Sequence, residues 1–477
     1  MSASDAPPPQ FAIDRDPRLR IVIPMIVAVA FLMEQLDSTI IATAIPDMAR
    51  SLDTTPLRLN LAITTYVLTL AVFIPVSGWF ADRYGSRRIF VLALFIFTLG
   101  SGLCGLAENF GMLLATRALQ GMGGAMMTPV GRLILLRSFP RGQLVRAMTY
   151  MTLPAIMGPV IGPLVGGVLT TYASWRWIFY VNLPFGAIGI LAALRYVEDT
   201  REEAVRKFDF PGFLMVGTAV ALMQLGLENI GRPMLPHVWT GIILAASVVL
   251  LLAFWRYQRH VAAPAVDMTL FHLRTFQVGT LAGGLSRVGI NGVPFLLPLM
   301  LQVGFGVSAV TSGSLTFVMS LGALVVRPTL SPLLRWFGFS KVLVGSAVAA
   351  SAALAGFTLL GPETPHWLIA VYIGVFGLTR SVQFMSSNTL SYSDMPAAKL
   401  SRATSLGGVL QQLSVSFGVS VAAMLLGLVS MESHSLTPER FHEAFLISAV
   451  IPLLAIPGFL RLRPEDGVQV SGYVKRS

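Results

Sequence analysis

The chain has 477 residues, of which 54% are hydrophobic and 12% are charged, and its mean hydropathy is +0.72. This composition is typical of an integral membrane protein and excludes an ordinary soluble domain. The net charge of +11 would fit nucleic-acid binding in a soluble protein, but here the basic residues follow a membrane topology, and we expect no nucleic-acid partner. The sequence has a single cysteine, Cys104, and no P-loop, so we expect no disulfide framework, no metal site and no cofactor.

Breaks rich in glycine, proline and charge divide the chain into fourteen apolar segments, most of them long enough to cross a bilayer as a helix. The predicted fold is therefore an all-α integral membrane protein with fourteen transmembrane helices. Residues 1–20 and 463–477 are predicted to be cytoplasmic tails. The predicted segments are 21–45, 57–80, 89–107, 111–136, 147–171, 177–195, 211–230, 237–255, 276–303, 309–330, 342–361, 366–390, 403–430 and 441–460.

Lysine and arginine are distributed unequally between the two sides of this topology. Because the number of segments is even, both termini lie on one side, whose loops and tails hold 24 of the 34 basic residues. The opposite side holds five, and five lie within segments. Short loops rich in basic residues face the cytoplasm. We therefore expect a multi-pass protein of the inner or plasma membrane with both termini in the cytoplasm.

The first segment carries two acidic residues, Glu34 and Asp37, near the middle of an otherwise apolar run. Charged groups at that depth are costly and normally face a water-filled path or an opposite charge, and residues at i and i+3 share one helix face. The two carboxylates therefore either exchange protons along a polar pathway or form a buried structural ion pair. By helical rise, Asp37 lies about 12 Å and Arg117 about 9 Å from the same side of the membrane, so the two could meet.

The run at 78–88, GWFADRYGSRR, joins the second and third segments. We interpret it as a short loop whose glycines permit a tight turn and close helix approach, and whose Asp82 caps the next helix or pairs with an arginine. A weaker copy, SPLLRWFG at 331–338, follows the tenth segment and has Arg335 in the place of Asp82. Such an internal repeat is typical of transporter folds. The candidate residues of the run are Gly78, Asp82, Arg83, Gly85, Arg87 and Arg88.

The fifth segment contains glycine and proline at a short, regular spacing. Small residues at every fourth position let helices approach closely, and prolines bend a helix because they remove backbone hydrogen bonds. The pattern predicts a packing surface and a hinge, formed by Gly158, Pro159, Gly162, Pro163, Gly166 and Gly167.

These motifs resemble those of the major facilitator superfamily. The run at 78–88 is similar to its signature loop, RALQGMGG at 117–124 to its fourth-helix motif, and the fifth segment to the antiporter motif of exporting members. Together with the fourteen segments and WRWIFYVNLP at 175–184, they resemble the fourteen-helix drug:proton antiporter branch. TPVGRL at 128–133 is similar to its MdtD-type transporters.

The resemblance implies two six-helix bundles, 21–197 and 276–462, separated by two inserted helices and their linkers in 198–275. It implies that the run at 78–88 is a cytoplasmic gate and that Arg117 acts in proton coupling. The depth of Asp37 and Glu34 makes these two acids the candidate proton carriers. It also implies a substrate cavity lined by segments one, four, nine and twelve.

Charged and polar residues on these four segments are the candidate substrate contacts, namely Glu34, Gln120, Arg287, Arg380 and Asn388. Arg287 and Arg380 either face the cavity or are packed structural arginines. If they face it, the cavity contains two acidic residues and at least three arginines, and this excess of positive charge favours an anionic or zwitterionic substrate. The resemblance instead implies lipophilic, drug-like cations, and the charge of the substrate stays open at this point.

We interpret the chain as a proton-coupled antiporter, not an enzyme, that exports small molecules by alternating access. Its partners would be the substrate, protons and the lipid bilayer, and we expect a functional monomer. One alternative is an organic-anion or metabolite exporter of the same fold. Another is a membrane-embedded enzyme or a non-transporting sensor, for which the cytoplasmic stretches offer neither a catalytic cluster nor an output domain.

Overall fold

The computed structural model describes residues 17–201, 208–231, 235–261, 266–430 and 436–471. These residues form helices and connecting turns, and no strand occurs among them. The predicted tails fall largely outside this range, since 1–16 and 472–477 are not among the described residues.

Fourteen membrane-spanning helices make up the described chain, as predicted. Eleven helical stretches are long and apolar enough to cross a bilayer, and one of these, Ala309–Leu359, contains two spans that meet at Gly338. The long helices Phe110–Ser138 and Arg141–Tyr172 complete the set. The first of these carries a buried arginine and a glycine-rich stretch, and the second has three internal prolines.

The helices are numbered in chain order, and the short helix Ile45–Ser51 after the first span is left without a number. Their bounds are α1 Leu19–Thr43, α2 Asn60–Tyr84, α3 Ser86–Gly105, α4 Phe110–Ser138, α5 Arg141–Tyr172, α6 Trp177–Tyr196, α7 Phe210–Gly231, α8 His237–Tyr257, α9 Arg274–Gly304, α10 309–337, α11 339–355, α12 His366–Ser393, α13 Ala397–Ser430 and α14 Pro438–Phe459.

An even number of spans brings both ends of the described chain to one end of the bundle, which we call the terminal face; the opposite end is the far face. Several helices continue past the apolar segments at the terminal face, so that α5 begins at Arg141 and α13 at Ala397. Apolar length predicts the hydrocarbon-spanning part of a helix, whereas backbone hydrogen bonding extends into the polar flank. At the far face, Asn109 caps α4 by accepting a hydrogen bond of 2.8 Å from the Met112 amide, and Ser308 caps α10 in the same way.

Two glycines form the junctions that the sequence repeat predicted. Gly85 separates α2 from α3 with φ 104°, and Gly338 separates α10 from α11 with φ 72°. These are conformations that only glycine adopts without strain. The two copies of the repeat therefore share a backbone junction, although their side chains differ at Asp82 and Arg335.

The structure corrects one prediction about the run at 78–88. Gly78 lies inside α2, and a Cβ at that position would meet nothing within 4 Å. Ser86 already begins α3, so the connection between the two helices is Gly85 alone. Gly78 forms neither a turn nor a close helix contact, because the helical hydrogen bonds of α2 continue past it to Tyr84.

We therefore expect alanine substitutions at the two glycines of this run to have different effects on stability. Gly85→Ala is expected to cost about 1–3 kcal/mol of stability, since its φ is unfavourable for any side chain and its Cβ would collide with the Asp199 carboxylate. Gly78→Ala is expected to be neutral or to stabilise by up to about 1 kcal/mol, as an alanine in an open helix position. Unfolding midpoints in detergent measure both variants. Equal losses would contradict this difference between the two positions.

The glycine and proline face of α5 packs against helices from both halves of the chain. A Cβ at Gly158 would press on α1 at Leu36, and Gly162 and Gly166 follow the same helix toward the far face. A Cβ at Gly167 would press on Ala309 of α10. This face therefore serves two interfaces at once, which the predicted packing surface did not distinguish.

Backbone atoms of α5 and α10 approach each other closely. A Cβ added at Gly313 would collide with the Pro163 carbonyl, and the Ser320 hydroxyl donates a hydrogen bond of 2.8 Å to the Pro159 carbonyl. Gln302 Nε2 at the far end of α9 donates to the Thr43 carbonyl of α1 at 3.1 Å. The first half and the second half of the chain thus touch at the far face.

Candidate functional site

The centre of the first half contains a buried carboxylate that three side chains hold. Asp37 of α1 accepts a hydrogen bond from Arg117 Nη1 at 2.6 Å and from Gln120 Nε2 at 2.8 Å. Asn182 Nδ2 of α6 lies 3.4 Å from the same carboxylate. All four side chains have no exposed surface. The structure therefore brings together Asp37 and Arg117, as their predicted depth in the membrane suggested.

Arg117 is held by further contacts on α2. Its Nε donates to the Ala62 carbonyl at 2.9 Å, and its guanidinium carbon lies 4.2 Å from the centre of the Tyr66 ring. Its Nη1 also donates to Gln120 Oε1 at 2.7 Å, because residues three apart on α4 share a face. A guanidinium this far from water needs its counter-charge and its hydrogen bonds at the same time. The position of Asp37 and that of Arg117 thus depend on each other.

Asn182 was missed as a site residue from the sequence. It anchors α6 to the cluster, and its Nδ2 also lies 3.1 Å from the Ser101 hydroxyl of α3. The available signal was a polar amide within the apolar run 175–184. That signal alone did not tell an interhelical contact from a cavity contact.

Glu34 lies one turn from Asp37 but has different surroundings. The Thr128 hydroxyl of α4 donates to its Oε2, and the Arg132 guanidinium lies within electrostatic range of the carboxylate. Glu34 is 7% exposed, whereas Arg132, one turn further toward the terminal face, is exposed and lies 5.8 Å from the centre of the Phe31 ring. Asp37 thus has a direct ion pair, and Glu34 has a hydroxyl partner with a more distant cation.

The second half carries two arginines at membrane depth. Arg287 of α9 is 5% exposed and donates to two carbonyls of its own helix, Gly283 at 3.1 Å and Gly279 at 3.3 Å. Arg380 of α12 is half-buried, and so is Asn388 two turns along the same helix. Within the described part of the chain, neither arginine forms an ion pair with a carboxylate.

Arg287 is also close to the middle of the molecule. The Tyr392 phenol of α12 lies within electrostatic range of both Arg287 and Arg132, which come from different halves of the chain. The sequence offset that matches Gly85 to Gly338 also matches Glu34 to Arg287. Equivalent positions of the two halves therefore carry opposite charges.

The terminal face of the first half is held by ion pairs that join the run at 78–88 to other parts of the chain. Asp82 pairs with an arginine, as one of its two predicted roles requires, and forms a salt bridge of 2.8 Å with Arg137 at the end of α4. Arg88 pairs with Asp199 at 3.0 Å, and Arg87 lies 3.4 Å from the Val197 carbonyl. Arg83 lies over the Trp79 ring at 5.5 Å. Asp82 reaches Arg137 because it lies in the last turn of α2, on the side that faces α4.

Comparison with known proteins agrees with this architecture. The family model described as Major Facilitator Superfamily matches residues 27–419 and 279–475 in two overlapping matches. "Putative multidrug resistance protein MdtD" of Pectobacterium atrosepticum is 37% identical over 455 residues, which cover 95% of this chain and 97% of that protein. The protein of the same name from Klebsiella pneumoniae is 36% identical over 453 residues, covering 94% and 96%.

Solved structures of lower identity share the fold. The nucleoside transporter NupG is 13% identical with a TM-score of 0.65, covering 93% of this chain and 99% of that one. The human organic anion transporter MFSD10 is 14% identical with a TM-score of 0.60 over the same shares. The fourteen spans, the repeated glycine junctions and the matches to full-length relatives lead to one conclusion. The chain belongs to the Major Facilitator Superfamily of membrane transporters.

Proposed function

We propose that this transporter is a proton-coupled antiporter of the inner membrane that exports small molecules by alternating access. The observation that carries the proposal is Asp37, a fully buried carboxylate within a membrane span that pairs with Arg117. Ionisable residues at membrane depth are costly and mark ion or proton pathways. The name of the MdtD relatives supports drug-like substrates. The excess of basic residues at the terminal face supports a cytoplasmic position for both termini.

The proposed coupling follows from charge balance at Asp37. As a carboxylate, Asp37 neutralises Arg117 and accepts hydrogen bonds from Gln120 and Asn182. A proton on Asp37 removes that charge, so Arg117 has to find another partner and the packing of α1 against α4 changes. The free energy of proton binding then depends on the conformation of the protein, and this thermodynamic linkage is the requirement for coupled transport.

Glu34 is the proposed link between this pair and the substrate. It is one turn closer to the terminal face than Asp37, and its neighbour Arg132 is exposed. A substrate that approaches Glu34 meets a carboxylate that has, among the described residues, one hydroxyl partner and no direct ion pair. Substrate and proton would therefore compete for the acidic face of α1, and export of one would accompany import of the other.

Contacts between the halves support a conformation that is closed at the far face. α5 packs on α10 there, and Gln302 of α9 binds the end of α1. With both termini in the cytoplasm, this is the state that takes up substrate from the cytoplasm. Alternating access then requires these far-face contacts to separate while contacts form at the terminal face.

An organic anion is a second candidate for the exported molecule. The specific observation in its favour is that Arg287 and Arg380 have no carboxylate partner among the described residues, although Arg287 is almost fully buried. A small carboxylate could neutralise them in the cavity. A lipophilic cation would leave both arginines uncompensated.

One reconstitution experiment tests the proposed function and separates the two substrates. Purified protein in proteoliposomes with an imposed pH gradient is expected to accumulate a lipophilic dye cation against its gradient and to dissipate the pH gradient as it does so. Arg287→Gln with Arg380→Gln should leave that transport intact. If only a di- or tricarboxylate anion moves, and the double variant abolishes its movement, the anion is the substrate. Absence of any pH-driven movement would contradict antiport.

A further inference from the structure

A second carboxylate cluster, centred on the half-buried Glu228, lies outside the Asp37 site, on the helix pair that separates the two halves. Glu228 of α7 accepts hydrogen bonds from Asn60 Nδ2 at 2.8 Å, Ser420 Oγ at 2.5 Å and Gln224 Nε2 at 3.2 Å. The Thr64 hydroxyl lies 3.5 Å away. We call these five residues the Glu228 cluster. From the sequence alone we assigned Glu228 no role, because it lies near the outer boundary of a segment in the predicted inserted pair.

The cluster joins three parts of the chain through one side chain. Asn60 and Thr64 are on α2 of the first half, Ser420 is on α13 of the second half, and Glu228 is on the inserted helix between them. Gln224, one turn before Glu228, also donates to Ser420 and accepts from Ser416 at 3.2 Å. The inserted helix therefore bridges α2 and α13 by polar contacts to both.

A passive spacer helix would not need this chemistry. Among the described residues no basic side chain pairs with Glu228, so neutral donors alone hold its carboxylate inside a membrane span. A half-buried carboxylate near the end of a membrane span still has a desolvation cost unless its hydrogen bonds persist. A leucine would fill the same space without that cost. The carboxylate is therefore better explained by contacts that form in one conformation and break in another.

The position of the cluster indicates which conformation it favours. Glu228 lies one turn from the far end of α7 at Gly231, and Asn60 is the first residue of α2 at the same face. The two halves touch at that face in this structure. If α2 and α13 separate there, Glu228 cannot keep donors from both helices.

We propose that Glu228 is a positioning residue of the transport cycle that holds α2 and α13 together while the far face is closed. The inserted helix α7 is then a moving part of the transporter that has to release at least one half before the far face opens. This inference rests on the alternating access proposed above. It adds a role for the inserted helices that the Asp37 site does not supply.

The experiment measures the distance across the far face in full-length protein reconstituted in lipid. Cys104 is the single cysteine and is buried, so spin labels can be attached at Glu108→Cys in the first half and Glu363→Cys in the second, both in exposed far-face loops. Pulsed electron paramagnetic resonance then gives the populations of short and long distances. Glu228→Gln keeps the shape but replaces one acceptor oxygen with a donor, and we expect the ratio of far-open to far-closed molecules to rise about tenfold.

Two further variants make the result specific. Ser420→Ala removes a single donor from the second half and leaves the carboxylate, so a smaller shift in the same direction is expected. Glu439→Gln, on an exposed carboxylate at the far end of α14, is the matched control and should leave the distances as in the wild type. If Glu228→Gln does not fold, Ser420→Ala decides the question alone.

The outcomes separate this inference from the proposed function. A wild-type protein that shows one distance under every condition of pH and substrate would overturn alternating access itself. A wild type with two distances, and unchanged populations in Glu228→Gln and Ser420→Ala, would overturn the role of Glu228. A shift in these variants with altered transport and normal unfolding midpoints would support it, since a merely structural residue would lower stability without moving the populations.

Discussion

Asp37→Asn is expected to abolish pH-driven accumulation of substrate. An asparagine keeps the size of the side chain and accepts from Gln120, but it cannot carry a proton or a negative charge. The rate of gradient-driven transport should fall by about a hundredfold, the scale on which loss of a positioned proton-transfer group acts. The measurement is uptake by proteoliposomes with and without a pH gradient.

Counterflow without a pH gradient is the control for this variant. It requires substrate binding and alternation but no net proton movement, so a measurable rate is expected to remain in Asp37→Asn. Glu34→Gln, one turn away on the same helix, should chiefly weaken substrate binding. A protein with both Glu34→Gln and Asp37→Asn that folds and still accumulates substrate at the native rate would refute the assignment of proton coupling to this face of α1.

Arg117→Gln is expected to destabilise the protein strongly. It leaves Asp37 as a buried carboxylate without its counter-charge, and removing one partner of a buried ion pair costs about 3–5 kcal/mol. Combining Arg117→Gln with Asp37→Asn removes both charges, so the stability should return close to that of the wild type. Unfolding midpoints of the three variants in detergent give the comparison.

Arg132→Gln is the matched control for that series. Arg132 lies on the same helix as Arg117, but it is exposed, so its replacement should change stability by less than about 0.5 kcal/mol. The double variant is expected to fold without recovering pH-driven transport, which separates the structural role of the pair from its coupling role. An Arg117→Gln protein as stable as the wild type would show that Asp37 does not need this partner.

Much of the architecture could be predicted from the sequence because bilayer thickness sets the length of apolar segments. The fourteen spans follow from that constraint, and helical rise was enough to bring Asp37 and Arg117 to a common depth. The glycine junction at Gly338 was visible as a weak copy of the run that contains Gly85. In each case one local rule, either length or spacing, decided the structure.

The contacts that depend on packing could not be predicted in this way. Gln120 was expected in the substrate cavity, but it is fully buried and its amide binds Asp37. Asp82 pairs with Arg137, which belongs to another helix. Asn182 and Glu228 likewise acquire partners from helices that are distant in sequence. Spacing along one helix gives the face of a side chain, whereas the neighbour on that face depends on how the helices assemble.

The interface between α5 and α10 has a consequence for the speed of the proposed transport cycle. Among the described residues, its close contacts include glycine and alanine backbone, two proline carbonyls and one serine hydroxyl, none of which requires a long side chain to be ordered. Ordering a long side chain costs up to about 2 kcal/mol, and an interface that re-forms in every cycle would pay that cost at each closing step. Contacts between backbone atoms avoid this entropy loss, because no long side chain has to find its rotamer when they form. In the proposed cycle, these backbone contacts can therefore separate and form again in the same register without the ordering of long side chains.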